Sequence, residues 1–196
     1  MQSIIKTLKS YEIIPKIINS EPIQELIIKY GIRDITINDQ LTPTSVQKQP
    51  TISFQEKEGS ELYTLIFTDP DAPSKENPIN AEWLHWLVTD IPSTADVSKG
   101  KEIASYIGAG PPNGTGFHRY IFVLAKQPNN KPLNMVGEKK LPFCPEGRNN
   151  WSAQKFIEKH QLTPVAINFF RAQYDESVPE LYQQLGESKE KPTEIK

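Results

Sequence analysis

The sequence predicts a mainly β single domain with helices at its periphery, on three observations: three long strand-like apolar runs in the middle of the chain, shorter alternating segments before them, and a length of 196 residues without an internal repeat. That length suits one domain with a sizeable core. The runs ELYTLIFTD, AEWLHWLVTDI and FHRYIFVLAKQ are nearly continuous in apolar character, as in strands at the middle of a sheet covered on both faces. Upstream, ELIIKYGI, DITIN and TISFQEKE show the alternation and β-branched content of strands set between polar turns.

The ends carry the helical signals. Ile4, Ile5 and Leu8, then Ile13, Ile14 and Ile17, recur at near-helical spacing, which predicts one or two short helices limited by Pro15. WSAQKFIEKHQL brings Trp151, Phe156, Ile157 and Leu162 to about one helical face. PVAINFFRAQY reads as a further strand, and VPELYQQL as a short closing helix with Pro179 in its first turn. The Pro- and Gly-rich stretches DPDAPSKENPIN and GAGPPNGTG are connections, and residues 127–150 read as a long surface loop. The domain is expected over residues 1–186, with 187–196 a flexible charged tail.

With 22 Lys+Arg against 24 Asp+Glu, no broad basic patch marks a nucleic-acid or membrane-surface binder. No apolar run approaches the ~20 residues that cross a bilayer, and the start lacks the unbroken apolar segment and cleavage site of a secretory signal. The single cysteine, Cys144, permits no intrachain disulfide and is too little for a thiolate zinc site; it reads as a small apolar residue. The expected setting is the cytoplasm, as a monomer with no cofactor.

Chemistry concentrates where the strong strands end. Alternation puts Tyr63, Leu65, Phe67 and Asp69 on one face, and an extended continuation adds Asp71. Two carboxylates so close cannot both ionise freely, so one holds a proton or is matched by a cation. By the same parity Trp83, His85 and Leu87 share a face opposite Leu84, Trp86 and Val88, and His118, Tyr120 and Phe122 share one opposite Arg119, Ile121 and Val123. The loop before His118 carries Gly108, Gly110, Gly114 and Gly116 with Pro111 and Pro112, a backbone that can approach a ligand closely and offer amides to an anion. Each feature has a plainer reading: a turn, two hydrogen-bonded core histidines, a tight connection. Together they suggest that cationic His85 and His118, beside Asp69 and Asp71, donate to a phosphate or carboxylate, while Trp83 or Tyr120 meets an ammonium.

These residues carry a resemblance. The motifs Asp69-Pro70-Asp71-Ala72-Pro73-Ser74 and Gly110-Pro111-Pro112-Asn113-Gly114-Thr115-Gly116-Phe117-His118-Arg119-Tyr120 resemble those of the phosphatidylethanolamine-binding protein family, which includes Raf kinase inhibitor proteins and fungal carboxypeptidase inhibitors. Weaker likenesses extend from about Glu12 to Leu185. The resemblance implies a large central β-sheet packed on a smaller one, and a pocket of Asp69, Asp71, Trp83, His85, Gly108, Gly110, Pro112, His118 and Tyr120, with Tyr182 from the closing helix. It also implies a cis Ala72–Pro73 bond. The position of the regulatory serine of mammalian kinase-inhibitor members holds Lys155, and Asn80 stands where many animal members have a pocket tyrosine.

The leading expectation is therefore a binding and regulatory protein, not an enzyme. It accepts phosphoethanolamine or another small anion and modulates a signalling protein kinase or a serine protease. Two alternatives stand: an acid–base or metal-dependent enzyme built on the Asp/His cluster, and a phospholipid carrier. No Gly-x-Ser-x-Gly or HExxH segment favours hydrolysis.

Overall fold

Four apolar runs become the centre of one sheet in the computed structural model, which describes residues 1–22, 24–54, 59–93 and 96–196. In chain order the elements are α1 (Gln2–Ser10), β1 (Gln24–Glu25), β2 (Ile27–Tyr30), β3 (Arg33–Ile35), β4 (Asp39–Leu41), β5 (Thr51–Ser53), β6 (Leu62–Asp69), β7 (Trp83–Pro92), β8 (Lys101–Ala104), β9 (His118–Lys126), β10 (Lys139–Lys140), α2 (Ala153–Lys159), β11 (Thr163–Ala172), α3 (Val178–Glu187) and β12 (Thr193–Glu194). The large sheet runs β1-β11-β9-β6-β7-β8, with β4 also pairing β11. The strands with unbroken apolar sequence are thus the interior ones, where both faces must be covered.

One face packs on the three-stranded sheet β3-β2-β5. Leu26, Ile28, Ile35, Ile52 and Phe54 meet Leu65, Phe67, Trp86, Phe122 and Phe170 there. The other face is covered by Leu8, Ile13 and Ile17 from the N-terminal segment, Phe156 and Ile157 from α2, and Met135 and Leu141. The fold is mainly β, a large mixed sheet on a smaller one with three α-helices among the described residues. No helix among those residues is long and apolar enough to cross a membrane.

Several local expectations change. The last four residues of TISFQEKE lie outside the described residues. Only Gln2–Ser10 is helical at the N-terminus; the chain then turns through Tyr11 to Ile17. Residues 127–150 are not simply a surface loop: Met135, Leu141 and Cys144 are buried, and Arg148 is wholly buried. The charged tail ends in a pairing, Thr193 with Lys140 and Glu194 with Lys139, because Ile195 packs on the core and its amide donates to Glu138 O at 2.8 Å. Alternation in β7 also breaks. Phe67 pairs with Trp86 and Thr68 with Leu84, so His85 is the extra residue of a bulge. Past it, Trp86 and Val88 join the face carrying His85, and Leu87 goes to the other.

Candidate functional site

The ends of β6, β7 and β9 and the loop 105–117 surround a cavity of about 340 Å³. Of the ten residues singled out in the sequence, nine line it: Asp69, Trp83, His85, Gly108, Gly110, Pro112, His118, Tyr120 and Tyr182. Asp71 does not. Beyond Asp69 the strand turns instead of extending, so the Asp71 amide folds back to donate to Asp69 Oδ1 at 2.7 Å. Its carboxylate faces Arg119, which donates from Nε at 2.8 Å, from Nη2 at 2.6 Å and from its backbone amide at 2.9 Å. Each aspartate thus has its own partner, and the like charges do not compete for one ligand.

His118 forms the floor with Asp69. Its Nδ1 lies 2.8 Å from Asp69 Oδ2, and its Nε2 lies 2.9 Å from Thr115 Oγ1. The Thr115 hydroxyl donates to Pro112 O at 2.8 Å, so its oxygen accepts from His118 Nε2–H and one proton lies between Nδ1 and Oδ2. Burial pushes the Asp69 carboxyl above its ordinary value, against the lowering by His118 and the Asp71 amide.

His85 differs from the expected cation. Its Nδ1 lies 2.8 Å from Ile107 O, an acceptor, so that nitrogen carries the proton. Burial pushes the imidazole down to about 3, and the nearby Arg148 guanidinium adds to the effect. At neutral pH the ring is uncharged, and its Nε2 offers a lone pair instead of a donor. Phe67, Trp83 and Tyr120 fix its plane, with ring centroids at 5.1, 4.5 and 5.2 Å. Among the described residues that line the cavity, none is Lys or Arg.

The walls come from further away. Tyr182 of α3 donates its hydroxyl to Gly110 O at 2.7 Å. A Cβ on Gly110 would stand 2.9 Å from Leu181 Cδ2, so this glycine admits α3 to the rim as much as any ligand. Asn80, Pro145, Leu181 and Leu185 also line the cavity.

Two supporting residues gave little sign in the sequence. Arg148, in a stretch that read as surface, donates to the carbonyls of Cys144, Leu84, His85, Ser105 and Pro142 at 2.7–3.2 Å and lies over the Trp83 ring. It holds the β7 bulge in place. Burial lowers its pKa to about 10, which still leaves a cation at neutral pH. Glu82 is buried beside Trp83; its Oε1 accepts the Ala153 amide at 2.9 Å, and burial raises its carboxyl to about 7. A lone acid opening an apolar strand was the available signal. Ala72–Pro73 is cis, as the resemblance implied, and so are Ile14–Pro15 and Ala81–Glu82. Among the described residues no group of three His, Cys, Asp or Glu side chains could hold a metal ion.

Comparison with known proteins shows the family and the fold. The family model "Phosphatidylethanolamine-binding protein" matches residues 21–170. A Drosophila melanogaster protein named as a candidate odorant-binding protein A5 is 35% identical over 187 residues, 94% of this chain and 87% of the relative. Two solved structures share the fold. The carboxypeptidase Y inhibitor, solved with its cognate proteinase, is 23% identical with a TM-score of 0.74, over 89% of this chain and 96% of the inhibitor chain. The phosphatidylethanolamine-binding protein from Plasmodium vivax is 24% identical with a TM-score of 0.73, over 87% and 97%. At those identities the two structures speak for the fold alone. The family model spans most of the chain and the Drosophila relative nearly all of it, and this chain belongs to the phosphatidylethanolamine-binding protein family.

Proposed function

We propose that the protein is a binding and regulatory protein, not an enzyme, whose cavity takes a small oxyanion together with one proton. The carrying observation is the orientation of His85. With its Nδ1–H spent on Ile107 O, a neutral His85 can only accept at Nε2. A fully ionised dianion would find there a lone pair, the Asp69 carboxyl and no lysine or arginine. Protonating His85 to receive it costs on the order of 5 kcal/mol at neutral pH, from a pKa of about 3. An oxyanion that still carries its own proton avoids that cost: its O–H donates to Nε2.

Phosphate monoesters fit, since their second pKa is ~6. In phosphoethanolamine the ammonium end would meet the faces of Trp83 and Tyr182 at the mouth. A volume of about 340 Å³ is at the low end for ligand pockets and suits a head group better than a whole diacyl lipid. The reading has the protein act in the cytoplasm as a monomer, occupancy changing how the rim formed by Tyr182 and Pro145 meets a protein kinase or protease. An enzymatic role is not favoured, because both His118 nitrogens are already engaged.

Calorimetry with phosphate, phosphoethanolamine and phosphatidylethanolamine vesicles tests the ligand class. Phosphate and phosphoethanolamine are expected to compete for one site, vesicles to give no signal, and His85→Phe to abolish both small-ligand signals. Vesicle binding without head-group binding would favour the carrier instead.

A further inference from the structure

We propose that Asn113 is a modification site: a spontaneous deamidation centre whose conversion to aspartate or isoaspartate weakens anion binding in the adjacent cavity. Asn113-Gly114 is the one Asn-Gly step in the chain. It occupies the tip of the loop whose Pro112 lines the cavity. Both residues are exposed, in a turn closed by the Thr115 amide on Pro112 O at 3.3 Å.

Three features of the turn favour the reaction. Gly114 has φ +78°, as the third position of a type II turn requires, and nothing lies within 4 Å of where its Cβ would be. A five-membered ring can therefore form on its amide without collision. Among the described residues the Gly114 amide donates no backbone hydrogen bond, so its nitrogen has no partner to give up. The carboxamide of Asn113 has no hydrogen bond to hold it away from that nitrogen among the described residues either.

The chemistry is balanced by water alone. Hydroxide removes the Gly114 amide proton, and the nitrogen attacks Asn113 Cγ. A C–N bond forms, the side-chain nitrogen leaves as ammonia, and a succinimide remains. Water then opens one of its two carbonyls. Opening on one side gives aspartate; opening on the other gives isoaspartate, with an extra methylene in the backbone. One water enters for one ammonia lost, and nothing is oxidised or reduced.

Either product acts on the cavity. A carboxylate appears next to Pro112, at the mouth of a site proposed to take anions. The isoaspartate also lengthens the chain between Pro112 and Thr115, whose hydroxyl links Pro112 O to His118 Nε2. The affinity effect rests on the ligand reading above; the modification itself does not.

The test ages the intact protein at mildly alkaline pH and body temperature, alongside Asn113→Gln, with fresh Asn113→Asp as a direct mimic. Peptide mass mapping and isoaspartyl methyltransferase labelling read the site, and phosphate titration reads the cavity. Conversion is expected at Asn113 well ahead of Asn19 and Asn80, which precede Ser20 and Ala81. Aged wild type and fresh Asn113→Asp should bind phosphate roughly threefold to tenfold more weakly, the effect of one partly screened like charge near the ligand, and aged Asn113→Gln should keep its fresh affinity. Conversion no faster at Asn113 than at those two sites would overturn the site. Conversion with unchanged affinity would overturn its effect on the cavity. If fresh protein binds no phosphate at all, the ligand reading fails together with the affinity effect, and the mass data still decide the modification.

Discussion

Replacing Arg119 with methionine is expected to destabilise the fold by about 3–5 kcal/mol, the cost of leaving one member of a buried ion pair unmatched. Asp71 is 1% exposed and takes three donors from Arg119, two of the guanidinium and one of the backbone. Methionine keeps much of the volume and removes the charge, so the loss reports the orphaned Asp71 carboxylate, not a cavity. Chemical denaturation at neutral pH measures it. Adding Asp71→Asn should recover much of the deficit, because the amide oxygen still accepts the residue-119 backbone amide and no charge is left buried. A single variant within 1 kcal/mol of wild type would mean that the pair contributes little, and that the DPD turn is held by its prolines. The same guanidinium also donates to Tyr11 O, so the loosening should extend to the N-terminal segment.

The second large effect concerns pH and the choice of anion. His85 is charged only below about 3 in the free protein, because burial disfavours its cation. The proposed complex holds one more proton than free protein plus dianion. By linkage, a species with more bound protons is favoured as pH falls. Phosphate-monoester affinity, counted on total ligand, should therefore fall roughly tenfold for each pH unit above ~6, where the monoester loses its second proton. Sulfate makes the sharper comparison, since it has no proton to give in this range. It should bind roughly a hundredfold or more weakly than phosphate at neutral pH, because His85 itself must then be protonated. Equal affinities, or a flat phosphate profile from weakly acidic to weakly alkaline pH, would contradict the proton-sharing scheme.

The sign for stability is opposite for the groups around the cavity. An unfolded histidine takes up its proton near 6.5 and folded His85 only near 3, so this residue destabilises the fold as pH falls through that interval. Asp69 and Glu82, both raised by burial, are protonated at higher pH in the folded state and oppose that loss as pH falls. The two effects overlap on the acid side, so acid unfolding alone would not isolate His85.

Much of this was legible before any coordinates. Strands β6, β7, β9 and β11 announce themselves because interior strands must be apolar on both faces, and the site residues sit where those runs meet polar loops. What escaped depends on tertiary contacts. The bulge at His85 has no local code; it exists because Arg148 gathers the carbonyls of Leu84 and His85 together with three others. Arg148 looked like surface because its neighbours are polar, and only the ring of carbonyls around it explains its burial. Asp71 was misplaced by carrying strand alternation through a turn. The tail looked too charged to dock, and Ile195 supplies an apolar contact with the core that secures it.

His85 is where the account can be tested most directly, by imidazole nitrogen NMR on labelled protein with and without phosphate. The free protein is predicted to show a neutral ring protonated at Nδ1 and unprotonated at Nε2 from neutral down to strongly acidic pH, and saturating phosphate should shift the Nε2 resonance as it accepts a hydrogen bond. A free-protein titration near the ordinary histidine value, or an Nε2 signal indifferent to phosphate, would contradict it.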